Sequence, residues 1–271
     1  MAAVKIAVCG AAGRMGRNVI DAILSRNDTE LAGVIEYSQN PLIGQEIGAI
    51  IGRPEIKLPL APSLSEGVGD ASVYIDFTTV EASLSYLEEA VKLNLAAVIG
   101  STGTSPAKQK AVEEAAKKIP VLWAPNMSTG ISVMYKIAAA MTKMLGPDFD
   151  LEIVESHHNQ KKDSPSGTAL KLFETVAKAR GLDPEKSLLT GRQGLVGERG
   201  KDEIGVLALR GGDIVGEHTL YFCGQGERLE LSHRASNRTV FSQGAVRAAA
   251  WLAGKKPGLY SIEDTISVEG L

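Results

Sequence analysis

Between residues 155 and 169 the chain reads ESHHNQKKDSPSGTA, residue types suited to moving a proton beside a bound anion. His157 and His158 are half of the four histidines in the sequence, and Lys161, Lys162 and Asp163 follow at once. Imidazole and ammonium groups are effective proton donors near neutral pH. Ser166, Gly167 and Thr168 lead into a helix-like segment, and a hydroxyl with open N–H groups at a helix start suits a carboxylate. Together these residues read as a pocket for an acidic substrate, with His157 or Lys161 delivering the proton. Arg238, in HRASNRTVF, is a further candidate carboxylate partner. The plain alternative is a solvated polar loop, and the Ser-Gly-Thr helix start argues against it. No metal is expected: neighbouring strand histidines face opposite ways, and neither H-E-x-x-H nor a cysteine partner is present.

A second set of residues lies at the N-terminus. Gly10, Gly13 and Gly16 stand three apart in CGAAGRMGRNVI, between a strand-like run and a helix-like one. Residues without side chains let backbone N–H groups approach a pyrophosphate, and the helix start adds partial positive charge. Glu36 follows Gly16 by twenty residues, at the end of the second strand-like run, where a carboxylate can accept from ribose hydroxyls. A glycine-rich turn with a surface glutamate and no ligand is the bland alternative. Residues 75–78, 99–103 and 124–127 end the next strand-like runs, where small and hydroxylated side chains suit a nicotinamide and its ribose. Taken singly, Thr78, Ser101 and Thr102 read equally as helix caps.

These residues need a scaffold, and the pattern supplies one. Apolar runs at 4–9, 31–35, 73–77, 96–99 and 120–123 alternate with helical periodicity at 14–25, 80–93 and 105–118. Continuously apolar strands separated by helices imply a doubly wound parallel sheet of Rossmann type. Four prolines between Tyr37 and Pro62 mark that stretch as a loop excursion outside the core. Beyond Asn126 the order changes: helix 130–145, strand FDLEIVESHH, helix 167–179, then strands 203–210, 214–222 and 228–233, with a final helix 239–253. Tight links at Gly211-Gly212-Asp213 and Gly224-Gln225-Gly226 suggest an α+β domain with a mixed or antiparallel sheet. The expected division is a dinucleotide-binding domain at 1–127, completed by 240–271, and a substrate-binding and oligomerisation domain at 128–239. Two chain crossings between them suit a hinge that closes over the reactants.

Composition narrows the class. The chain has 271 residues, 44% hydrophobic and 23% charged, with 29 Lys+Arg against 32 Asp+Glu. That balance argues against disorder and against a phosphate-backbone footprint, so no nucleic-acid partner is expected. No apolar run reaches the ~20 residues that cross a bilayer, so no membrane partner is expected either. Two cysteines and a start without a leader pattern fit a reducing cytoplasm.

The combination of GAAGRMG, DFT, VIGSTG, APNMS, ESHHNQKKDSPSGTA and GDIVGEHT closely resembles the dihydrodipicolinate reductase family, in order from about Lys5 to the C-terminus. The resemblance implies reduction of a cyclic imine dicarboxylate by NADH or NADPH, in the diaminopimelate route to lysine. It assigns His157 as a catalytic proton donor or acceptor and Lys161 as a catalytic proton donor, His158 as a substrate contact, and Gly167 with Thr168 as carboxylate ligands. It places cofactor contacts at Gly10, Ala11, Ala12, Gly13, Arg14 and Met15, at Gly100, Ser101 and Thr102, and at Ala124, Pro125, Asn126 and Met127. It also implies a homotetramer. Some members follow the acid after the second strand with an arginine that can hold a 2′-phosphate; here Tyr37 follows Glu36. A carboxylate repels that phosphate, so a preference for NADH is expected.

Two rivals make different demands. An aspartate-semialdehyde dehydrogenase needs a nucleophilic cysteine, and Cys9 and Cys223 both lie in strand-like segments. A non-catalytic dinucleotide sensor would keep the glycine turn but has no use for His157, Lys161 and the anion cradle together.

Overall fold

The computed structural model describes residues 2–101 and 105–266. The chain forms two compact units. The first runs to Thr129 and resumes at Thr239, and the second spans Gly130–Arg238.

In the first unit, β1 (Val4–Cys9), β2 (Thr29–Ile35), β3 (Val73–Asp76), β4 (Ala96–Ile99), β5 (Pro120–Trp123) and β11 (Gly258–Tyr260) form one sheet. Its order is β11-β5-β4-β3-β1-β2, and every pair is parallel. Connections run to opposite sides of β1, so the topological switch point lies at its C-terminal end. Helices α1 (Arg14–Leu24) and α9 (Thr239–Leu252) cover one face, where Val19, Ile20 and Ile23 meet Ala245, Val246 and Leu252. Helices α4 (Val80–Leu93) and α5 (Pro106–Ala116) cover the other, packing Leu87, Ala90 and Val112 on Tyr74, Ala97 and Val121. Cover on both faces explains why β3 and β4 are buried at every residue and read as apolar runs, broken only by Asp76 at the end of β3.

The stretch 37–62 corrects the expectation of a loop outside the core. It holds α2 (Ile47–Ile51) and folds back on itself through Gly44 N–Leu60 O and Leu60 N–Gln45 O bonds of 2.8 and 2.9 Å. Ile47 and Leu60 are fully buried in the α1 face of the core. The prolines mark the turns correctly, but the apolar residues between them still seek burial. A further short helix, α3 (Leu64–Gly67), follows.

In the second unit, β6 (Asp150–His157), β7 (Leu188–Leu189), β8 (Ile204–Arg210), β9 (Glu217–Cys223) and β10 (Arg228–Arg234) form a mixed sheet of order β10-β9-β6-β8-β7. Helices α6 (Thr129–Leu145) and α7 (Gly167–Arg180) pack on one face through Ile131, Met134, Leu172, Phe173 and Val176 against Leu151, Ile153, Val206, Leu220 and Phe222. Helix α8 (Pro184–Ser187) links α7 to β7. Only one of the two glycine links is a hairpin. The 224–226 link joins antiparallel β9 and β10. The 211–213 link instead joins β8 and β9 across the intervening β6, which pairs parallel with β8 and antiparallel with β9.

Candidate active site

Period-2 alternation places the chemistry of the second unit. Along β6, Leu151, Ile153, Glu155 and His157 are buried while the residues between them are partly exposed. The helix-covered face therefore ends, toward the strand's C-terminus, in a carboxylate and an imidazole. Glu155 is fully buried and receives four donors. Oε2 accepts from His157 Nδ1 at 2.6 Å and Arg210 Nη1 at 2.8 Å. Oε1 accepts from Arg210 Nη2 at 2.8 Å and the Ser166 N–H at 2.9 Å. Burial alone would raise this carboxyl, but the bonds from His157, Arg210 and Ser166 outweigh it and hold the acid down at about 2. An ionised acceptor at Nδ1 fixes a proton there and leaves Nε2 as the exchanging nitrogen of His157. A Cβ on Gly216 would come within 3.0 Å of that Nε2, so this close approach requires glycine.

The same carboxylate is tied to the amino end of α7. Ser166, the N-cap, gives its N–H to Glu155 and accepts the Ala169 N–H on its hydroxyl at 3.2 Å. Gly167 and Thr168 open the helix, where first-turn N–H dipoles favour an anion. His218, opposite Glu155 on β9, reaches Ser166 Oγ through Nε2 at 3.2 Å and meets the His157 ring edge-on at 5.2 Å between centroids. Burial, and then the neighbouring His157, push His218 down to about 3, so it stays neutral. Lys161 pairs with Asp163 at 2.9 Å on the loop between β6 and α7, and His158, the first residue after β6, is partly exposed. Arg238 is not brought into this group: it is exposed, beyond β10, with no ion pair among the described residues.

In the first unit the glycine turn sits at the switch point. Gly10 has φ +68°, and a Cβ on Gly16 would fall 2.1 Å from the Gly10 carbonyl oxygen, so α1 packs directly against the turn. Gly13 is the N-cap of α1 and supplies no side-chain cap, which leaves the helix start open to an outside acceptor. Glu36 Oε2 accepts the Ala12 N–H and Oε1 the Tyr37 N–H, both at 3.1 Å, bracing the carboxylate beside the turn. Arg14 is exposed and Met15 partly so, while Ala11 is fully buried and offers backbone only. This cradle fits a dinucleotide pyrophosphate: an added Cβ would obstruct it, and its helix dipole is uncapped.

At the ends of β4 and β5 the side chains point inward. Ser101, Ala124 and Met127 are buried, so any ligand contact there runs through backbone; Pro125 is exposed, and Asn126 Oδ1 accepts the Ser128 N–H at 2.9 Å. Gly100 packs against the Phe77 ring, which an added Cβ would approach to 2.3 Å. Thr102 lies outside the described residues. Beneath this edge runs a buried polar network. Asp76 accepts from Thr78 Oγ1 at 2.6 Å and from Ser83 Oγ; Ser83 Oγ also lies 2.8 Å from Ser101 Oγ. Lys108, fully buried on α5, donates to Ser101 Oγ at 2.6 Å and to the Ser101 carbonyl at 3.0 Å. Its ammonium also stands 5.2 Å from the centroid of the Trp123 ring.

Residues 4–127 match the family described as dihydrodipicolinate reductase, N-terminus, and residues 130–266 match dihydrodipicolinate reductase, C-terminus. The chain belongs to the dihydrodipicolinate reductase family. It is 49% identical to the 4-hydroxy-tetrahydrodipicolinate reductase of Geotalea daltonii, over 98% of this chain and 100% of the relative. It is 50% identical to that of Geobacter metallireducens, over 98% and 99%. Among solved structures, the dipicolinate-bound dihydrodipicolinate reductase of Paenisporosarcina sp. TG-14 shares the fold, with TM-score 0.74 and 23% identity over 97% of this chain and 100% of the other.

Within this reductase family member, the signature residues His157, Lys161, Ser166, Gly167 and Thr168 fall on one strand end and the loop and helix that follow it. The sequence reading missed Arg210, His218 and Lys108. Alternation along EHTLYFC marks His218 as inward-facing, whereas Arg210 and Lys108 carry no local signal.

Proposed function

We infer that the protein reduces the cyclic imine dicarboxylate derived from 4-hydroxy-tetrahydrodipicolinate to tetrahydrodipicolinate, in the diaminopimelate route to lysine. The observation that carries this reading is the Glu155 carboxylate, which holds both the His157 imidazole and the N-cap of an anion-favouring helix. Gly10–Met15, Glu36, Gly100–Ser101 and Ala124–Met127 would hold a nicotinamide dinucleotide, which when bound would supply hydride for the electron-poor ring carbon. The chain's own groups do the rest. The start of α7 at Gly167 and Thr168 receives a substrate carboxylate, with His158 as a further contact. His157 Nε2 or Lys161 Nζ gives a proton to the position next to the reduced carbon and stabilises the enamine charge beforehand. The hydroxyl of the hydrated substrate leaves as water.

Support for a cysteine nucleophile is poor: Cys9 is buried, and burial raises its thiol well above the ordinary range. The decisive experiment follows dinucleotide oxidation at 340 nm with and without the cyclic precursor. Turnover that depends on the precursor is expected, and binding without turnover would leave a sensor.

NADH is the inferred preferred donor. Glu36 is braced at the turn, Tyr37 beside it is 61% exposed, and Arg53 is engaged with Asp21 at 3.3 Å. A 2′-phosphate would meet a carboxylate there with no arginine at position 37. Comparison of kcat/KM for NADH and NADPH tests this. The inferred assembly is a homotetramer formed through the sheet of the second unit, whose Leu209 and Leu229 are 51% and 43% exposed; light scattering in solution tests it. No helix among the described residues is long and apolar enough to cross a membrane, in keeping with the inferred cytoplasmic site.

A further inference from the structure

Arg210 ends β8 as the register partner of His157 in the parallel β6–β8 pair. Its guanidinium makes four hydrogen bonds. Nη1 donates to Glu155 Oε2 at 2.8 Å and to the Leu209 carbonyl at 2.7 Å. Nη2 donates to Glu155 Oε1 at 2.8 Å and to the Asp163 carbonyl at 2.7 Å. A planar fork on both oxygens fixes the plane of a carboxylate as well as its place. Glu155 passes that constraint to His157 and to the Ser166 N–H. Asp163 passes it to Lys161, whose ammonium its side chain receives at 2.9 Å. One side chain is thus a single step from the imidazole, from the ammonium and from the helix cap.

The neighbouring backbone repeats the tie. Gly211 N donates to the His157 carbonyl at 2.9 Å, and Asn159 N donates to the Gly212 carbonyl at 3.1 Å. Meanwhile Arg210 Nε is buried without a hydrogen-bond partner. A guanidinium serving only to neutralise Glu155 could turn Nε and one Nη toward it and give Nε a partner. The end-on arrangement found here forgoes that bond and brings Nη2 onto the Asp163 carbonyl.

We propose that Arg210 is a positioning residue for the reduction, setting the His157 imidazole and the Lys161 ammonium relative to one another by clamping Glu155 to the Asp163 carbonyl. This rests on the function inferred above. Lysine cannot replace it, because one ammonium does not span two carboxylate oxygens and a carbonyl in a plane. The alternative, that Arg210 only balances the charge of Glu155, predicts lost stability and no link to Lys161.

The test is steady-state kinetics on the full chain for wild type, Arg210→Lys, Arg210→Gln, Lys161→Ala and the Arg210→Gln/Lys161→Ala double variant. NADH affinity is measured on each by fluorescence titration. Arg210→Lys and Arg210→Gln are each expected to lose about 10²-fold in kcat, the cost of a small misplacement of reacting groups, with NADH affinity unchanged. In the Lys161→Ala background, Arg210→Gln is expected to cost less than about threefold more, since groups that act as a unit fail together. Should Arg210→Gln not fold, Arg210→Lys keeps a cation beside Glu155 and carries the comparison through its double variant with Lys161→Ala. Wild-type kcat in Arg210→Lys, or losses that multiply in the double variant, overturns the proposal. A wild-type chain that does not turn over the cyclic precursor would instead remove the inferred function.

Discussion

His157 and Glu155 sit two residues apart on one face of one strand, with Nδ1 and Oε2 separated by 2.6 Å and the carboxylate fully buried. Side chains two apart on a strand share a face but diverge unless something draws them together. Here the ionised acid, held down at about 2, accepts the Nδ1 hydrogen bond and leaves Nε2 as the exchanging nitrogen.

Glu155→Gln keeps the shape and removes the charge. The amide cannot accept from Arg210, Ser166 and His157 at once, so His157 loses its fixed tautomer. A drop in kcat of about 10²–10⁴-fold is expected, the range attached to positioned acid–base groups, with NADH affinity retained. Stability carries a pH signature as well. The folded carboxyl lies below its unfolded value of 4.5, so its contribution is complete above that pH and fades as pH falls toward 2. Urea unfolding between pH 2 and 4.5 should show a shallower slope in the variant than in wild type.

His157→Ala and Lys161→Ala are expected to lower kcat by roughly 10²–10⁴-fold while leaving NADH affinity within about twofold. The proposed dinucleotide cradle, Gly10–Met15 with Glu36, belongs to the first unit, and both substitutions lie in the second. Near-normal turnover in both variants would remove these residues from the chemistry. Pairing kinetics with a fluorescence titration separates the two effects.

Much of this arrangement is legible in the chain itself. Short apolar runs between helices mark β3, β4 and β5 because a sheet covered on both faces needs no polar alternation. The alternation of LEIVESH likewise places Glu155 and His157 on the side of Ile153. What escapes is whatever a distant element brings. Arg210 lies 55 residues from Glu155 and reaches it only because β8 pairs with β6, a pairing the Gly211-Gly212 link disguises as a hairpin. Lys108, in PAKQKAVEEAA, reads as one more solvated lysine. It is buried because the start of α5 lies over the end of β4, where Ser101 and Asp76 offer acceptors.

Lys108→Met tests that buried contact. Burial lowers the Lys108 ammonium while the Asp76 carboxylate opposes the shift, and removing the cation leaves the Ser101 carbonyl and Asp76 without it. A loss of about 1–3 kcal/mol in unfolding free energy is expected, the range for a buried polar group left unmatched. NADH affinity should fall several-fold if Ser101, which Lys108 holds, lies on the proposed cofactor edge. Unchanged NADH affinity with lowered stability would make the network purely structural.

Tyr37→Arg should relax the cofactor preference. Tyr37 is exposed immediately after Glu36, so a guanidinium there can reach a 2′-phosphate and offset the carboxylate. A rise in kcat/KM for NADPH of about tenfold, with little change for NADH, is expected from one exposed charge-assisted contact. The ratio of the two values in the variant and in wild type decides it.

His218 gives the protein a second acid-sensitive group, opposite in chemistry to Glu155. It is buried, held neutral down to about 3, and faces His157, Glu155, Lys161 and His233. In the unfolded chain it titrates near 6.5, so between roughly 6.5 and 3 the unfolded state binds the extra proton. Stability therefore rises with pH through that window and is lost as pH falls, by up to about 1.4 kcal/mol per unit. Glu155 adds its own loss only below 4.5, so the interval from 6.5 to 4.5 separates the two groups. His218→Gln places an amide within reach of Ser166 Oγ and carries no titrating group. Its unfolding free energy is expected to be lower than wild type at pH 7 and to decline less steeply than wild type from pH 6.5 to 4.5, the remaining slope coming from His233, which burial also lowers. Parallel pH profiles for the two proteins across that interval would mean that His218 is not held neutral by the fold.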